Sequence, residues 1–426
     1  MKTVLVITYY WPPAGGPGVQ RALKFCKYLP QFGWRPVVLT VADGEYPAID
    51  ESLMQDISSD LAVYKSASLE PFSVYRRLLG RRREEKISTF VLTEDSQGGI
   101  MQRLAAFVRG NLFIPDGRIG WKPFAVKRGM GVIRGEKIDL IFSTAPPMTA
   151  HLIAKTLARQ SGLPWVADFR DPWTDVFYYH NLKRMRPALW LDRRLERSVL
   201  RAADAVAAVS PTIKRLLQLK AENRYFVVPN GYDEADFDGI EPLPDDGKRH
   251  IVHTGHLAVN QNPAALWRAL RRHIDRSAPH NISIDFYGSI HQDVRNSLAD
   301  SELLPFCQFY GYQPHREVVA AMKRAALLFF VVPETAYAKG IPTSKLLDYI
   351  GAGRPILGIG PTDGDAAEIL RQCGLGEMVE AGDEQQVLKG LELLFVKPKL
   401  GGMRRVDFTR KNQSGQLAEI FNLLLN

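Results

Sequence analysis

Short apolar runs that end in a turn and precede a helical pattern constrain the fold of this chain most. The first of them, residues 3–8, shows no alternation of polar and apolar side chains, as expected for a strand buried on both faces of a parallel sheet. The other predicted strands are residues 36–40, 138–144, 164–168, 205–210, 225–228, 250–254, 282–287, 307–310, 326–332 and 356–357. Because parallel strands need crossover helices, the pattern predicts an α/β fold built from right-handed βαβ units.

The same order of elements opens two parts of the chain. A strand, a Gly-containing turn and a helical pattern follow one another at residues 3–29 and again at 250–270, and a Pro/Asp-rich stretch lies between them at 241–246. A chain of 426 residues is also too long for one ordinary core. We therefore predict an N-terminal domain at residues 1–222, a C-terminal domain at 223–410 and an amphipathic helix at 411–426.

The positive charge of the chain is concentrated in one segment. Residues 76–134 carry thirteen Lys/Arg against five Asp/Glu, an excess close to the net charge of +9 for the whole chain. Bulky apolar residues alternate with these charges, which fits an anionic membrane surface better than a nucleic-acid groove. A solvated basic surface is the alternative. A second apolar pattern, residues 189–200, predicts a helix that packs on the sheet rather than one that contacts lipid.

The positions of the cysteines and histidines favour a reducing compartment and argue against a metal site. Cys26, Cys307 and Cys373 are widely scattered and form no C-x-x-C, which favours a reducing environment and disfavours a cysteine zinc site. The nine histidines show no metal-ligand spacing. The first residues form a strand pattern rather than a signal peptide, and no apolar run is long enough to cross a bilayer. We expect a cytoplasmic protein that binds no metal and that could lie on the inner face of the plasma membrane.

The stretch at residues 342–357 contains the most informative candidate site. Its apolar spacing predicts a helix that begins near Thr343 and Ser344 and is stopped by Gly351 and Gly353. The N-terminus of such a helix suits a diphosphate, and Asp348, one turn further, can accept hydrogen bonds from ribose hydroxyls. Lys345 and Asp348 share a helical face, so an ordinary surface ion pair is the alternative.

Two turns in the first half of the chain also end predicted strands. Gly15 and Gly16 follow the first strand, where α/β proteins hold phosphate or sugar groups. Their spacing is not G-x-G-x-x-G, which disfavours a nicotinamide-dependent dehydrogenase. The strand ending at Asp168 leads into Arg170 and Asp171, of which the first could hold a phosphate and the second could act as a base. A buried Arg–Asp pair that braces the loop is the alternative.

In combination, these motifs resemble the retaining family-4 glycosyltransferases of the GT-B type, in the branch that works on bacterial surface polysaccharides. The resemblance rests on Pro12-Pro-Ala-Gly-Gly16, Asp168-Phe-Arg-Asp-Pro-Trp173, Pro229-Asn-Gly-Tyr-Asp233 and Pro342-x-x-Lys-x-x-Asp348 with Gly351-x-Gly-x-Pro355. It implies a GT-B fold, in which two Rossmann-like domains with parallel sheets face each other across a cleft and a C-terminal helix crosses back to the first domain.

The resemblance also implies an activity and partners. It implies a hexosyltransferase that moves a sugar from a nucleoside-diphosphate sugar such as a UDP-sugar to a lipid-linked or polysaccharide acceptor, with retention of configuration. No cofactor beyond the nucleotide sugar and no nucleic acid is expected. The donor would be held mainly by the C-terminal domain and the acceptor by the N-terminal domain.

The resemblance finally implies roles for individual residues. The donor-binding residues are Gly15, Gly16, Gly255, Pro342, Thr343, Ser344, Lys345 and Asp348. The acceptor-binding residues are Gln20, Arg21 and Trp173, and the catalytic residues are Arg170, Asp171 and His256.

The sequence departs from the family pattern at two places. Gly340 stands where many relatives carry a second glutamate, and the Arg and Lys that usually follow the Gly turn of the C-terminal domain are missing. The diphosphate charge would then fall to His256, Lys339, Lys345 or Arg354. These departures leave open a nucleotide-sugar epimerase or hydrolase of the same fold, and a catalytically silent partner subunit that binds nucleotide or membrane.

Overall fold

The computed structural model describes residues 1–46, 48–69, 107–108, 110–176, 184–276, 281–335, 337–396 and 405–425. The chain forms two compact units, one of Met1–Pro229 with Gln413–Asn426 and one of Asn230–Asn412. Of the predicted basic segment, residues 76–106 and 109 lie outside the described ranges. No helix within those ranges is long and apolar enough to span a bilayer.

A seven-stranded parallel sheet forms the centre of the first unit. Its strands are β1 (Lys2–Ile7), β2 (Trp34–Val41), β3 (Ala62–Ser66), β4 (Leu140–Ala145), β5 (Trp165–Phe169), β6 (Ala205–Ala208) and β7 (Tyr225–Val227). They pair in the order β3-β2-β1-β4-β5-β6-β7. The central strands β4 to β6 are buried along their whole length, which explains why their sequences lack polar alternation.

Helices cover both faces of this sheet. They are α1 (Pro17–Tyr28), α2 (Lys122–Glu136), α3 (Thr149–Ser161), α4 (Arg186–Ala202) and α5 (Pro211–Gln218). Apolar residues of α2 to α5 pack on one face of the sheet, and those of α1 pack on the other. Each face thus has its own apolar layer, as a doubly wound sheet requires.

The second unit repeats this plan around a six-stranded parallel sheet. Its strands are β8 (Arg249–Thr254), β9 (Ile282–Tyr287), β10 (Cys307–Gly311), β11 (Leu327–Val331), β12 (Ile356–Ile359) and β13 (Gly376–Val379), in the order β10-β9-β8-β11-β12-β13. Its helices are α6 (Ala264–Arg276), α7 (Gln292–Asp300), α8 (His315–Arg324), α9 (Ser344–Ala352), α10 (Asp365–Cys373) and α11 (Glu384–Val396). The first six strands of the first sheet follow the same order, so the predicted α/β fold with two Rossmann-like domains is confirmed.

The last helix, α12 (Arg410–Leu425), returns the chain to the first unit. Leu417 and Phe421 join the apolar layer that also contains α1. The Phe421 ring lies 5.1 Å from the ring of Trp34, centre to centre, and Trp34 Nε1 donates a hydrogen bond of 3.2 Å to Asn422 Oδ1. The predicted return of the C-terminal helix to the first domain is therefore confirmed.

Candidate functional site

Each sheet has one point at which the strand order reverses. In the second unit it lies between β8 and β11, and ligands of open α/β sheets bind beyond the carboxyl ends of the strands at such points. The turn at Gly255 directly follows β8, and α9 begins after the loop that follows β11. The two predicted donor-binding segments therefore end up side by side.

Two glycines allow a close approach of the backbone at this edge. Gly255 has a φ of +81°, and a Cβ added to it would lie 3.0 Å from Lys345 Cε. Gly288, which follows β9, has a φ of +137°, and a Cβ added there would lie only 2.4 Å from the carbonyl oxygen of Gly255. Side chains at these positions would push the two turns and Lys345 apart, so both glycines are needed for the observed geometry.

Lys345 provides a cation that is not paired with a carboxylate of the described residues. Its Nζ donates a hydrogen bond of 2.7 Å to the carbonyl oxygen of His256, and burial lowers the pKa of the amine to about 8. The alternative of an ordinary Lys345–Asp348 ion pair is therefore wrong. An unpaired ammonium beside the N-terminus of a helix is a suitable place for an anion.

The N-terminus of α9 contributes groups to the same place. Thr343 is the N-cap residue but its side chain does not cap the helix, and its buried Oγ1 finds no partner among the described residues. Ser344 is exposed in the first turn, and Pro342 is half-buried just before the cap. The helix ends at Gly353, which has a φ of 69°. Gly351 does not stop it, in contrast to our prediction, because it lies within α9 and packs closely on Phe237.

His256 is exposed next to Lys345. Its Nδ1 shares a hydrogen bond of 2.7 Å with Ser289 Oγ, which fixes the orientation of the imidazole ring. Our sequence analysis missed Ser289. The signal was present, because Ser289 comes two residues after the end of β9, and β9 is the neighbour of β8 in the sheet.

Tyr349 anchors α9 against the sheet. The ring is fully buried, and its hydroxyl accepts a hydrogen bond of 2.9 Å from the Thr254 amide and donates one of 3.1 Å to the Phe329 carbonyl oxygen. The helix is thereby fixed to both β8 and β11, the two strands that flank the switch point. This contact sets the position of Lys345 and Asp348 relative to Gly255.

Asp348 lies one turn into α9 and is half-buried. Its carboxylate makes no hydrogen bond within the described part of the chain. Burial raises the pKa of Asp348 to about 6, although His315 and Arg410 lower it in part and Asp236 raises it further. A carboxylate that lacks donors can accept hydrogen bonds from the hydroxyls of a ligand.

Replacing Asp348 with asparagine should stabilise the second unit at neutral pH and leave its stability unchanged in acid. The folded-state pKa of about 6 lies above that of an unfolded aspartate, about 4. Stability is therefore full below about pH 4 and is lost as the pH rises through about 6. Thermal unfolding of both proteins at about pH 3.5 and pH 7.5 measures this. Equal melting temperatures at the higher pH would contradict the assignment of Asp348 as a half-buried carboxylate that receives no hydrogen bond.

Two other predicted candidates for the diphosphate charge are engaged elsewhere. Lys339 Nζ lies 2.6 Å from Asp363 Oδ2 in an exposed ion pair. Arg354 follows the C-terminus of α9, and its Nε donates a hydrogen bond of 2.6 Å to the Ala325 carbonyl oxygen, which precedes β11. Arg354 thus lies at the amino end of the strands, away from Gly255, so its proposed contact with the diphosphate is wrong.

In the first unit, only one of the two predicted glycines is exposed. Gly15 is buried, its amide donates a hydrogen bond of 2.9 Å to the Ala48 carbonyl oxygen, and a Cβ added there would lie 3.1 Å from Asp50 Cβ. Gly16 is exposed immediately before α1 and has open space around it. A ligand at this turn would therefore meet Gly16, and the structure does not bring Gly15 to the surface.

Arg170 braces the loop after β5 through backbone carbonyl groups. Its Nε donates a hydrogen bond of 3.1 Å to the Ala145 carbonyl oxygen, and its Nη2 donates to the Pro146 carbonyl oxygen. Its Nη1 makes no hydrogen bond to the described residues and lies over Gly18, where an added Cβ would come within 2.3 Å. One donor of the guanidinium is thus directed towards the start of α1 and remains available to a ligand.

The surroundings of Asp171 and Asp168 shift the pKa values of these two carboxyl groups in opposite directions. Asp168 is in β5, and Asp171 lies in the loop that follows it. Burial raises the pKa of Asp171, and the positive charge of Arg170 opposes this increase only in part. For Asp168, burial also raises the pKa, but Arg21 and Thr144 outweigh it and the net shift is downwards. Asp171 is therefore the carboxyl group with the greater affinity for a proton.

Arg21 and Asp168 form a fully buried pair. The Asp168 carboxylate accepts hydrogen bonds from Arg21 Nη2 at 2.7 Å, Arg21 Nε at 3.0 Å and Thr144 Oγ1 at 2.7 Å. Arg21 also donates to the carbonyl oxygens of Val228 and Pro229. Its side chain has no exposed surface, so the predicted contact with an acceptor is corrected to a structural role that joins α1, β5 and the end of β7.

Trp173 is likewise buried. Its Nε1 donates a hydrogen bond of 2.9 Å to Asp192 Oδ1, and its ring packs beside Phe169 and His151. With no exposed surface, Trp173 cannot present its ring to an acceptor here, and the prediction is corrected to a packing role. Gln20, half-buried in the first turn of α1, is the predicted acceptor residue that keeps an accessible side chain.

No group of three or more His, Cys, Asp and Glu side chains within the described ranges could hold a metal ion. The imidazole of His151 is fully buried, where burial lowers its pKa to about 3, and it shares a hydrogen bond of 2.8 Å with Ser143 Oγ. His151 is therefore a neutral core residue.

Comparison with known protein families identifies the first half of the chain. The family profile described as "Glycosyl transferase 4-like domain" matches residues 15–231. A comparison with curated protein sequences gave no match.

Solved structures share the fold over the whole chain. A sucrose-phosphate synthase from Thermosynechococcus elongatus has a TM-score of 0.62 and 13% identity, with 100% of this chain and 99% of that chain covered. The lipopolysaccharide outer core galactosyltransferase WaaB has a TM-score of 0.59 and 12% identity (99% and 100% covered). An alpha,alpha-trehalose-phosphate synthase (UDP-forming) from Burkholderia xenovorans has a TM-score of 0.58 and 11% identity (100% of both covered). These similarities show that the chain has the GT-B fold.

Proposed function

Because this chain belongs to the glycosyl transferase 4-like family, a family of GT-B glycosyltransferases, we propose that it moves a sugar from a nucleoside-diphosphate sugar to an acceptor hydroxyl with retention of the anomeric configuration. The observation that supports this most is the unpaired Lys345 ammonium between the Gly255 turn and the N-terminus of α9. The second unit would bind the donor, and the first unit would bind the acceptor.

The donor groups would bind to three neighbouring features of the second unit. Lys345 and the N-terminal amides of α9 would bind the diphosphate, with His256 beside them. Asp348 would accept hydrogen bonds from the ribose hydroxyls, because its carboxylate receives no hydrogen bond from the described residues. Fixed cations and helix dipoles stabilise the negative charge that develops on a departing diphosphate. We propose that this charge is stabilised without a cofactor.

The first unit would orient the acceptor and the transferred sugar. Arg170 Nη1 and the exposed Gly16 lie at the start of α1, and Gln20 lies in the same turn. Asp171 has the raised pKa expected of a group that receives or shares a proton near the reacting hydroxyl. Arg21 and Asp168 would act by holding α1 and the β5 loop in place.

We propose a lipid-linked or polysaccharide acceptor in cell-surface polysaccharide synthesis, and a UDP-sugar as donor. This is supported by the sequence motifs and by the shared fold of a lipopolysaccharide galactosyltransferase. The two alternatives, an epimerase or hydrolase and a silent partner subunit, are not favoured, because the family match is to glycosyl transferases.

A two-step assay tests the proposal. Nucleoside-diphosphate sugars are first screened by thermal shift, since a ligand that binds only the folded protein raises its melting temperature. Each donor that binds is then incubated with and without lipid-linked and glycan acceptors. We expect nucleoside diphosphate release that depends on acceptor and yields a product with the donor's anomeric configuration. Equal release in water alone, or recovery of an epimerised donor, would contradict the proposal.

A further inference from the structure

Helix α4 separates its charges between two sides. Both of its carboxylates point into the first unit, where Asp192 binds Trp173 Nε1 and Glu196 accepts hydrogen bonds from Thr174 Oγ1 at 2.6 Å and Lys220 Nζ at 2.7 Å. All of its arginines are exposed, and they are Arg186, Arg193, Arg194, Arg197 and Arg201. The outer side of α4 therefore carries positive charge without any carboxylate of the helix itself.

Large apolar side chains are exposed beside these arginines. Trp190 is 60% exposed and Leu191 is 39% exposed, and the Arg194 guanidinium lies 5.3 Å from the centre of the Trp190 ring. Val199 and Leu200 pack on the sheet as the sequence predicted. The predicted packing of this helix on the sheet is therefore confirmed, but Trp190 and Leu191 of the same apolar pattern are exposed to solvent.

The exposed apolar surface continues beyond α4. Met185, which is 48% exposed, donates its amide proton to Asn111 Oδ1 at 2.6 Å, and Asn111 Nδ2 donates to the Phe107 carbonyl oxygen at 2.9 Å. Leu112 and Phe107 are 71% and 43% exposed. We call these five apolar residues and the five arginines the α4 surface. Single exposed apolar residues are ordinary, whereas a group of five with a tryptophan indicates an interaction site.

We propose that the α4 surface binds the headgroup region of an anionic lipid bilayer, with Trp190 inserted among the headgroups. Tryptophan is favoured at membrane–water interfaces because its ring is apolar and its N–H is polar. Arginines bind lipid phosphates through paired hydrogen bonds and are attracted by the negative surface potential. A nucleic acid would satisfy the arginines but would leave Leu112, Met185 and Leu191 in water.

The neighbouring helices α2 and α3 carry further cations of the first unit. Helix α3 packs beside α4. Burial lowers the pKa of Lys155 on α3, and Lys122 and Arg159 lower it further. The charges that surround Lys155 are thus also positive. This inference does not depend on the donor site, which lies in the second unit, and it can fail or hold independently of the proposed glycosyl transfer.

The tryptophans of the chain supply a direct test. The sequence has seven, and the other six, Trp11, Trp34, Trp121, Trp165, Trp173 and Trp267, are at most 1% exposed. A change of emission on contact with lipid therefore reports Trp190. With vesicles of phosphatidylethanolamine and phosphatidylglycerol, we expect a blue shift, quenching by brominated acyl chains and co-sedimentation that weakens as salt is raised. Phosphatidylcholine vesicles should produce none of these.

Matched charge reversals locate the surface. Replacing Arg193, Arg194 and Arg197 with glutamate should weaken co-sedimentation by about tenfold or more, because each basic residue near the bilayer contributes separately to the binding free energy. The control reverses three exposed arginines of α6 in the second unit, Arg268, Arg272 and Arg276, which changes the net charge equally. Circular dichroism and thermal melting show whether each variant is folded.

Four results would overturn the inference. They are an absence of binding to the anionic vesicles, an equal loss of binding in the α6 control, binding without any change in Trp190 emission, and retention on RNA or DNA but not on vesicles. A Trp190→Ser variant that sediments as well as the parent protein would also contradict the insertion of this residue.

Discussion

Replacing Asp168 with asparagine is expected to destabilise the first unit by about 3–5 kcal/mol, the usual cost of leaving one partner of a buried ion pair uncompensated. The Arg21 side chain has no exposed surface, and Asp168 provides the carboxylate that neutralises it. Asparagine keeps the size and one acceptor oxygen of the aspartate, so the effect measures the loss of charge rather than of volume.

Denaturant unfolding followed by tryptophan fluorescence measures this change, because six of the seven tryptophans lie in the first unit. The matched control is Asp275→Ala, which removes the carboxylate of an exposed pair with Arg271. Exposed pairs contribute about 0–1 kcal/mol. A loss below about 1 kcal/mol for Asp168→Asn would mean that the pair is not the structural element that joins α1 to β5.

Replacing Lys345 with methionine is expected to weaken donor binding by about 10- to 150-fold, since a hydrogen bond to a charged group contributes about 1.5–3 kcal/mol. Methionine keeps most of the length of the side chain but removes the ammonium. Stability should not fall, because burial lowers the pKa of Lys345 and so already opposes its charge. Isothermal titration with the donor found in the thermal-shift screen measures the affinity.

The matched control for Lys345 is Lys339→Met. Lys339 belongs to the loop before α9, but it is exposed and pairs with Asp363. Its removal should change donor affinity by no more than about twofold. If the two variants lose affinity equally, or if Lys345→Met binds as tightly as the parent protein, the diphosphate does not lie at the N-terminus of α9.

The fold could be predicted from the sequence because its strands are short and apolar throughout. Runs such as residues 3–8 and 326–332 can be buried on both faces only in a parallel sheet covered by helices. The repeated order of strand, Gly turn and helix then predicted two similar units. The C-terminal end of α9 was less predictable. Gly351 lies inside this helix because the absence of a side chain lets Phe237 pack closely on it.

The candidate site was predictable where the order of elements alone determines position. Gly255 and Lys345 follow neighbouring parallel strands, so they had to meet at the same edge of the sheet. Arg21 and Trp173 were assigned to the acceptor through the resemblance to the glycosyltransferase family. Burial of an individual side chain depends on partners far along the chain, such as Asp168 for Arg21 and Asp192 for Trp173, and no local pattern reveals those partners.

The exposure of Trp190 shows where the apolar pattern of residues 189–200 was interpreted too broadly. Trp190 lies nine residues before Val199, roughly half a turn away from it on an α-helix, so the two side chains cannot share one face. The inward hydrogen bonds of Asp192 and Glu196 show the same rotation of α4, which turns Trp190 and the arginines outwards.

The pH dependence of donor affinity tests the donor site most directly. Asp348, with a pKa of about 6, accepts stronger hydrogen bonds from hydroxyls when it is ionised, and Lys345, with a pKa of about 8, attracts a diphosphate when it is protonated. The affinity of the parent protein for a nucleoside-diphosphate sugar should therefore be highest near neutral pH and fall by up to about tenfold per unit on either side. Asp348→Asn should remove the acidic decline and Lys345→Met the alkaline one. A profile that is flat in the parent protein, or that keeps both declines in the variants, would contradict a donor site formed by these residues.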